Sequence, residues 1–317
     1  MQRYIVQRVL LMIPTLIGVT VVVFIMVRLI PGDIVSLMAG DFGAVSPEQK
    51  QRILEEFGLH ENIAVQYVRW FSHIIRLDLG TSLLSGRTVT SELAARLPVT
   101  LELGLLALAT SIAIGVPIGI ISAIRQNSLA DYAGRSLAIA ILAAPNFWIA
   151  LILIVMAARY FQWGVPPRQY VHLHEDPIGN LKMMFVPAMI LGGAASGTLM
   201  RYTRTTMLEV LRQDYVRTAW SKGLSERAVV TRHALRNALI PVVTVIGLGL
   251  PSLLGGTIII ESIYGIPGMG RYYVAAINQL DFPVIQGINI LIASMVVVSN
   301  LGVDLLYAVL DPRIQYS

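Results

Sequence analysis

The chain of 317 residues has no cysteine and only three lysines. The first absence excludes disulfides, thiolate metal sites and cysteine nucleophiles. The lysines, Lys50, Lys182 and Lys222, follow Gln49, Leu181 and Ser221, so there is no Gly-Lys pair and no phosphate loop of the form G-x-x-x-x-G-K-[ST]. A powered function would therefore require a partner that hydrolyses ATP, with no cofactor bound by this chain. Charge is also scarce, 14% of residues against 55% hydrophobic, far from the balance of a soluble domain. Internal repeats and low-complexity tracts are missing too.

What remains is a set of long uncharged runs. The first, residues 9–27, follows Arg3 and Arg8 and closes on Arg28 with Pro31-Gly32-Asp33 behind it. It carries no small-x-small cleavage site, so it reads as a retained span rather than a signal peptide. Five more runs, 103–124, 136–158, 183–200, 237–260 and 282–303, each approach the length that about 1.5 Å per residue requires to cross a hydrocarbon core of roughly 30 Å. The expectation is an all-α, polytopic membrane protein of six transmembrane helices. Its parts are an N-terminal segment with the first span (1–30), an extramembrane helical subdomain (31–97) and a five-helix core (98–317). In the subdomain, Ser46-Pro47-Glu48 reads as a helix start, Gly58 as its end, and about 62–76 as a second, amphipathic helix. Residues 78–82 read as a turn. Gly115 with Gly119, and Gly193 with Gly197, are small-xxx-small pairs suited to close helix approach.

Between the fourth and fifth runs the chain turns basic. Residues 201–236 hold eight cations, among them Arg201, Arg204, Arg217 and Lys222, against three anions, an excess equal to the net charge of +5 of the whole chain. This concentration in one inter-span loop, without interleaved aromatics, suits membrane orientation rather than nucleic acid. With the N-terminus inside, the inner segments carry thirteen cations and the two short outer loops three (Arg168, Lys182, Arg271), which predicts that both termini are cytoplasmic. Locally, Asp214 is a plausible N-cap and 215–222 a helix. Gly223 can take the left-handed conformation that stops it, and Ser225 with Glu226 can start a second helix toward Asn237.

The spacing of Ala219, Gly223, His233-Ala234-Leu235-Arg236-Asn237 and Pro241 resembles the cytoplasmic EAA loop of ABC importer permeases, in the dipeptide/oligopeptide/nickel branch. The naming glutamate is replaced by Arg217-Thr218-Ala219, as is usual in that branch, and Trp220 stands where a basic residue is common. Further segments resemble the same branch: Ile30-Pro31-Gly32-Asp33, Thr100-Leu101-Glu102-Leu103, Pro145-Asn146-Phe147-Trp148, Glu261 to Gly268 and Asp311-Pro312-Arg313. The resemblance implies a permease subunit forming half of the translocation pathway of an ABC importer in a bacterial or archaeal cytoplasmic membrane. Peptides are the implied cargo, with nickel or another small solute as the alternative. It also implies a second homologous permease, two ABC ATPase subunits that use the ATP, and an extracytoplasmic substrate-binding protein. The residues implied for coupling to the ATPase are Arg217, Thr218, Ala219, Lys222, Gly223, His233, Asn237 and Pro241.

Three other features carry potential chemistry of their own. Ser196, within Ala195-Ser196-Gly197, invites an intramembrane serine protease, but all five histidines (His60, His73, His172, His174, His233) fall outside the spans and leave it without a base. His172-Leu173-His174-Glu175-Asp176 has loose metal-ligand character and reads better as a solvated loop. Charges next to spans usually face a bundle interior. Glu102, Glu261 and Asp304 are such charges. Glu261, beside Tyr264 and Pro267, marks an expected outer gate, with Glu102 as a further pathway candidate.

Overall fold

The computed structural model describes residues 2–29, 61–161 and 170–310. The expected helix at 46–58, and the family-like segments at 30–33 and 311–313, lie outside these. Among the described residues the regular elements are helices: α1 (Gln2–Arg28), α2 (Ile63–Ile75), α3 (Val89–Ile124), α4 (Leu129–Ala143), α5 (Asn146–Phe161), α6 (Pro177–Leu211), α7 (Asp214–Ser221), α8 (Glu226–Ala228), a π-helical segment (Val229–Ala234), α9 (Leu235–Tyr264), α10 (Met269–Asn278) and α11 (Phe282–Leu310). Among the described residues five helices are long and apolar enough to cross a membrane, and six spans result when the bent pair α4–α5 is one of them.

The third span, expected to be a single helix, is bent by 92° between α4 and α5. Pro145 is the cause. Its ring disfavours helical geometry at the residue before it, and Ala144 is extended (φ −93°, ψ 125°). The Pro145 carbonyl then accepts from the Trp148 and Ile149 N–H groups to start α5. The fourth span runs eleven residues past Met200, to Leu211. The fifth is continuously helical from Glu226 to Tyr264, so the expected second helix of the loop is the first part of that span rather than a separate piece.

By internal packing the described chain falls into two compact units. In the first, comprising Met1, Pro98–Arg271 and Val298–Ser317, a core of Leu103, Ala107, Met184, Leu191, Ile260 and Tyr264 is shared by α3, α6 and α9. Glycine allows α3 and α6 to touch backbone to backbone. A Cβ at Gly115 would lie 2.7 Å from the Ser196 carbonyl oxygen, and one at Gly192 would lie 2.3 Å from that of Ala107. Gly192 has this role instead of the expected Gly193, whose Cβ would meet nothing within 4 Å.

The second unit comprises Gln2–Leu97 and Tyr272–Val297. Here the Asn62 side chain caps α2 by accepting from the Ala64 N–H, so the residue expected to begin the helix lies one position before it. The turn after α2 has left-handed backbone at Leu77 and Gly80. Buried Asp281 accepts from the Ser82 hydroxyl at 2.5 Å and from the Leu83 N–H at 3.3 Å, which fixes that turn to the end of the chain segment before α11.

Candidate functional site

The basic stretch folds into a compact unit at the joint of α6, α7 and α8. In α7, Val216 and Ala219 point inward and pack with Val229, and Val210 and Leu211 at the end of α6 close the cluster. The expected N-cap is corrected by one residue: Gln213 holds the cap position without a side-chain bond, while Asp214 lies in the first turn, where its charge suits the helix dipole. Asp214 also faces Arg217 at 3.6 Å. Ser225 holds the cap position of α8, again without a side-chain bond.

Gly223 ends α7 in the left-handed conformation, φ +74°. Its N–H donates to the Trp220 carbonyl at 2.9 Å and the next N–H, of Leu224, to the Ala219 carbonyl at 3.4 Å, the paired bonds of a Schellman closure. The turn is held from the far side as well: the Asn237 amide, on α9, donates to the Tyr215 hydroxyl at 2.9 Å. Between them, His233 lies in the π-helical segment, and Pro241 removes a backbone donor from the first turns of α9.

The residues implied for coupling thus divide into two groups. Arg217, Thr218 and Lys222 are exposed, together with Tyr215, Trp220 and Leu224, giving a basic surface with aromatic anchors of the kind enriched at protein interfaces. Ala219, Gly223 and Asn237 shape the turn from within or behind. Trp220 is 45% exposed on this surface.

One feature of this end of the molecule escaped the sequence reading. Asp131 on α4 is fully buried and takes 2.8 Å bonds from Nε and Nη2 of Arg204 on α6, one to each carboxylate oxygen. It also accepts from the Ser122 hydroxyl on α3 and from the Asn127 N–H at 3.0 Å. One carboxylate therefore ties three helices just before the chain enters the basic unit. The available signal was that Asp131 is the one acid between Glu102 and Glu175.

At the other end of α9, Glu261 is also fully buried. Its Oε1 accepts from the Thr100 hydroxyl on α3 at 2.8 Å, and its Oε2 from the Arg271 N–H at 3.1 Å; Thr100 in turn accepts from the Met269 N–H at 2.8 Å. Gly265 takes φ +68° to end α9, and a Cβ on Gly268 would lie 2.4 Å from the Glu261 carboxylate, so the turn containing Pro267 can wrap that group only with glycine there. Tyr264, 3% exposed, belongs to the core.

Glu102 accepts from the Tyr170 hydroxyl at 3.1 Å. Burial first, then the Glu102 charge, pushes that hydroxyl up to about 12, so it remains a donor at neutral pH. The Ser196 hydroxyl donates to the Gly193 carbonyl at 2.5 Å, the role of a packing residue. Among the described residues no cluster of three or more His, Asp or Glu is arranged to hold a metal.

Between α3, α5, α6 and α9 lies a cavity of about 310 Å³. Its polar groups are Ser111, Asn146 and Thr198, all neutral, and the remaining wall mixes leucine, valine and isoleucine side chains with small residues such as Ala195 and Gly256.

The family model described as "Binding-protein-dependent transport system inner membrane component" matches residues 115–316, and its N-terminal companion matches residues 1–104. The chain belongs to this family. The permease is 39% identical, over 100% of both chains, to the oligopeptide transport system permease protein AppB of Bacillus subtilis. It is 38% identical to the dipeptide transport system permease protein DppB of Escherichia coli K12, over 100% of this chain and 99% of that one. Among solved structures, one described as inward-facing conformations of the MetNI methionine ABC transporter aligns with a TM-score of 0.53 over 69% of this permease and 96% of that chain. At 14% identity the likeness is one of fold. The permease is a multi-pass inner-membrane protein of a binding-protein-dependent transport system.

Proposed function

We propose that this permease forms half of the pathway of an ABC importer for peptides, paired with a second homologous permease. Two ABC ATPase subunits drive it and an extracytoplasmic binding protein feeds it. The observation that carries the cargo is the full-length identity to relatives named for oligopeptide and dipeptide transport. The cavity supports the same reading. Neutral hydrogen-bonding groups in an uncharged, apolar wall can bond a peptide backbone without selecting charged side chains, which leaves selection to the binding protein.

The cavity is the pathway wall in this proposal, and the Glu261 turn is its outer gate, a carboxylate holding a glycine-rich turn in one geometry. In proteoliposomes containing the whole complex, peptide uptake should fall progressively through Ala195→Val, Ala195→Leu and Ala195→Trp as the wall is filled. Glu261→Ala leaves buried donors unpaired, at about 1–3 kcal/mol. It should slow uptake while the complex still assembles. Wild-type uptake by Ala195→Trp would remove the cavity from the pathway.

The orientation belongs to the same proposal, with the basic unit cytoplasmic, and the cation asymmetry between loops supports it. Because the chain has no cysteine, single cysteines can report it. A cysteine at His172 should react with an impermeant thiol reagent added to intact cells, and one at Ser225 should not. Labelling of Ser225 from outside would reverse the topology.

A further inference from the structure

Helix α2 has three faces. The first packs on the end of α1: the Tyr67 and Trp70 rings lie 5.2 and 5.4 Å from Phe24, and the Tyr67 hydroxyl is 2.9 Å from Thr20 Oγ1. At the last turn of α1 the Arg28 guanidinium sits 3.4 Å over the Phe24 ring and donates to Gln66 at 2.6 Å. The second face, with Arg69, Ser72, His73 and Arg76, is polar. The third is apolar and, among the described residues, largely uncovered. Ala64, Val68, Phe71 and Ile75 recur at spacings of four, three and four, which places them in one stripe, and Val68 and Ile75 are 64% and 66% exposed.

A helix with no buried residue and an apolar stripe open to water would gain nothing from keeping that stripe. Phe71 of the stripe stacks on Tyr67 at 5.7 Å, so the stripe adjoins α1, a helix long and apolar enough to cross the bilayer whose Met26 is 62% exposed, with Leu29 just beyond its end 73% exposed. Trp and Tyr rings next to an arginine, where a spanning helix ends, are the composition of the headgroup boundary. We infer that α2 lies in the plane of the bilayer at that boundary, with the Ala64–Val68–Phe71–Ile75 stripe in the acyl chains and Arg69 and Arg76 toward the headgroups. It is a surface anchor that holds the outgoing end of the first span at fixed depth. An amphipathic helix with cations opposite its apolar face binds lipid in this manner.

The inference goes beyond the transport reading and does not depend on it. Spin labels on Val68→Cys, Ile75→Cys, Arg69→Cys and Arg76→Cys, in the complex reconstituted into phosphatidylethanolamine–phosphatidylglycerol vesicles, test it directly. The ratio of oxygen to nickel-chelate collision rates should be at least about threefold higher at positions 68 and 75 than at 69 and 76, since the apolar relaxant partitions into acyl chains and the chelate does not. Equal chelate access on both faces would mean a helix standing in water. Low access to both relaxants at 68 and 75 would mean a protein partner covers the stripe. Either result would overturn the assignment.

Discussion

Asp131→Ala should cost the detergent-solubilised permease about 3–5 kcal/mol, the penalty of stranding a guanidinium beside a vacated, buried site. The pair itself contributes little net stability, because both ions lose water when they meet. The loss comes from breaking it one-sidedly. Arg204 keeps only 18% side-chain exposure, and the Ser122 hydroxyl and Asn127 N–H would lose their acceptor at the same time. A matched replacement of both ions, Asp131→Leu with Arg204→Met, should recover most of the deficit. The check is the thermal unfolding midpoint of the purified protein for the two single variants and the pair. Additive single losses, with no recovery in the pair, would show that the two side chains do not act together.

This lock also shows where reading the sequence stops. Six spans were legible because each is a local run of the right length, and the turn at Gly223 because a glycine follows a short helix with a new start behind it. The α2 boundaries at Asn62 and Arg76 were legible for the same local reason. The partnership of Asp131 with Arg204 is different, since 73 residues separate them and nothing near either one names the other. Arg204 was counted only as one more cation in a basic loop. The bend at Pro145 was visible as a residue but was read through, because proline inside a spanning run is tolerated when neighbouring helices satisfy the freed backbone. Glu261 was placed at a span end by its charge. That it is buried and bonded to Thr100 and the Arg271 N–H depends on how closely the turn after α9 wraps the carboxylate, which Gly268 permits and no periodicity reveals.

We propose that the α7 turn transmits force between the ATPase and the spans, which requires that the turn keep its shape. Gly223 is the position on which that shape depends most. Its φ of +74° is strained for any residue with a Cβ, yet a Cβ there would meet nothing within 4 Å, so a substitution acts through the backbone alone and not through a clash. Valine should cost about 1–2 kcal/mol in that conformation or release the two Schellman bonds and redirect α8. Asparagine tolerates the left-handed region and should be nearly silent. Arg217→Glu should act more weakly than valine at 223, because an exposed ion pair contributes roughly 0–1 kcal/mol. The direct measurement is peptide uptake together with ATP hydrolysis stimulated by the binding protein, in reconstituted complexes carrying Gly223→Val or Gly223→Asn. The valine complex should lose ATPase association or stimulated hydrolysis, and uptake with it, while the permease stays inserted and the asparagine complex works. A valine complex that assembled fully and coupled hydrolysis to uptake as the wild type does would contradict it.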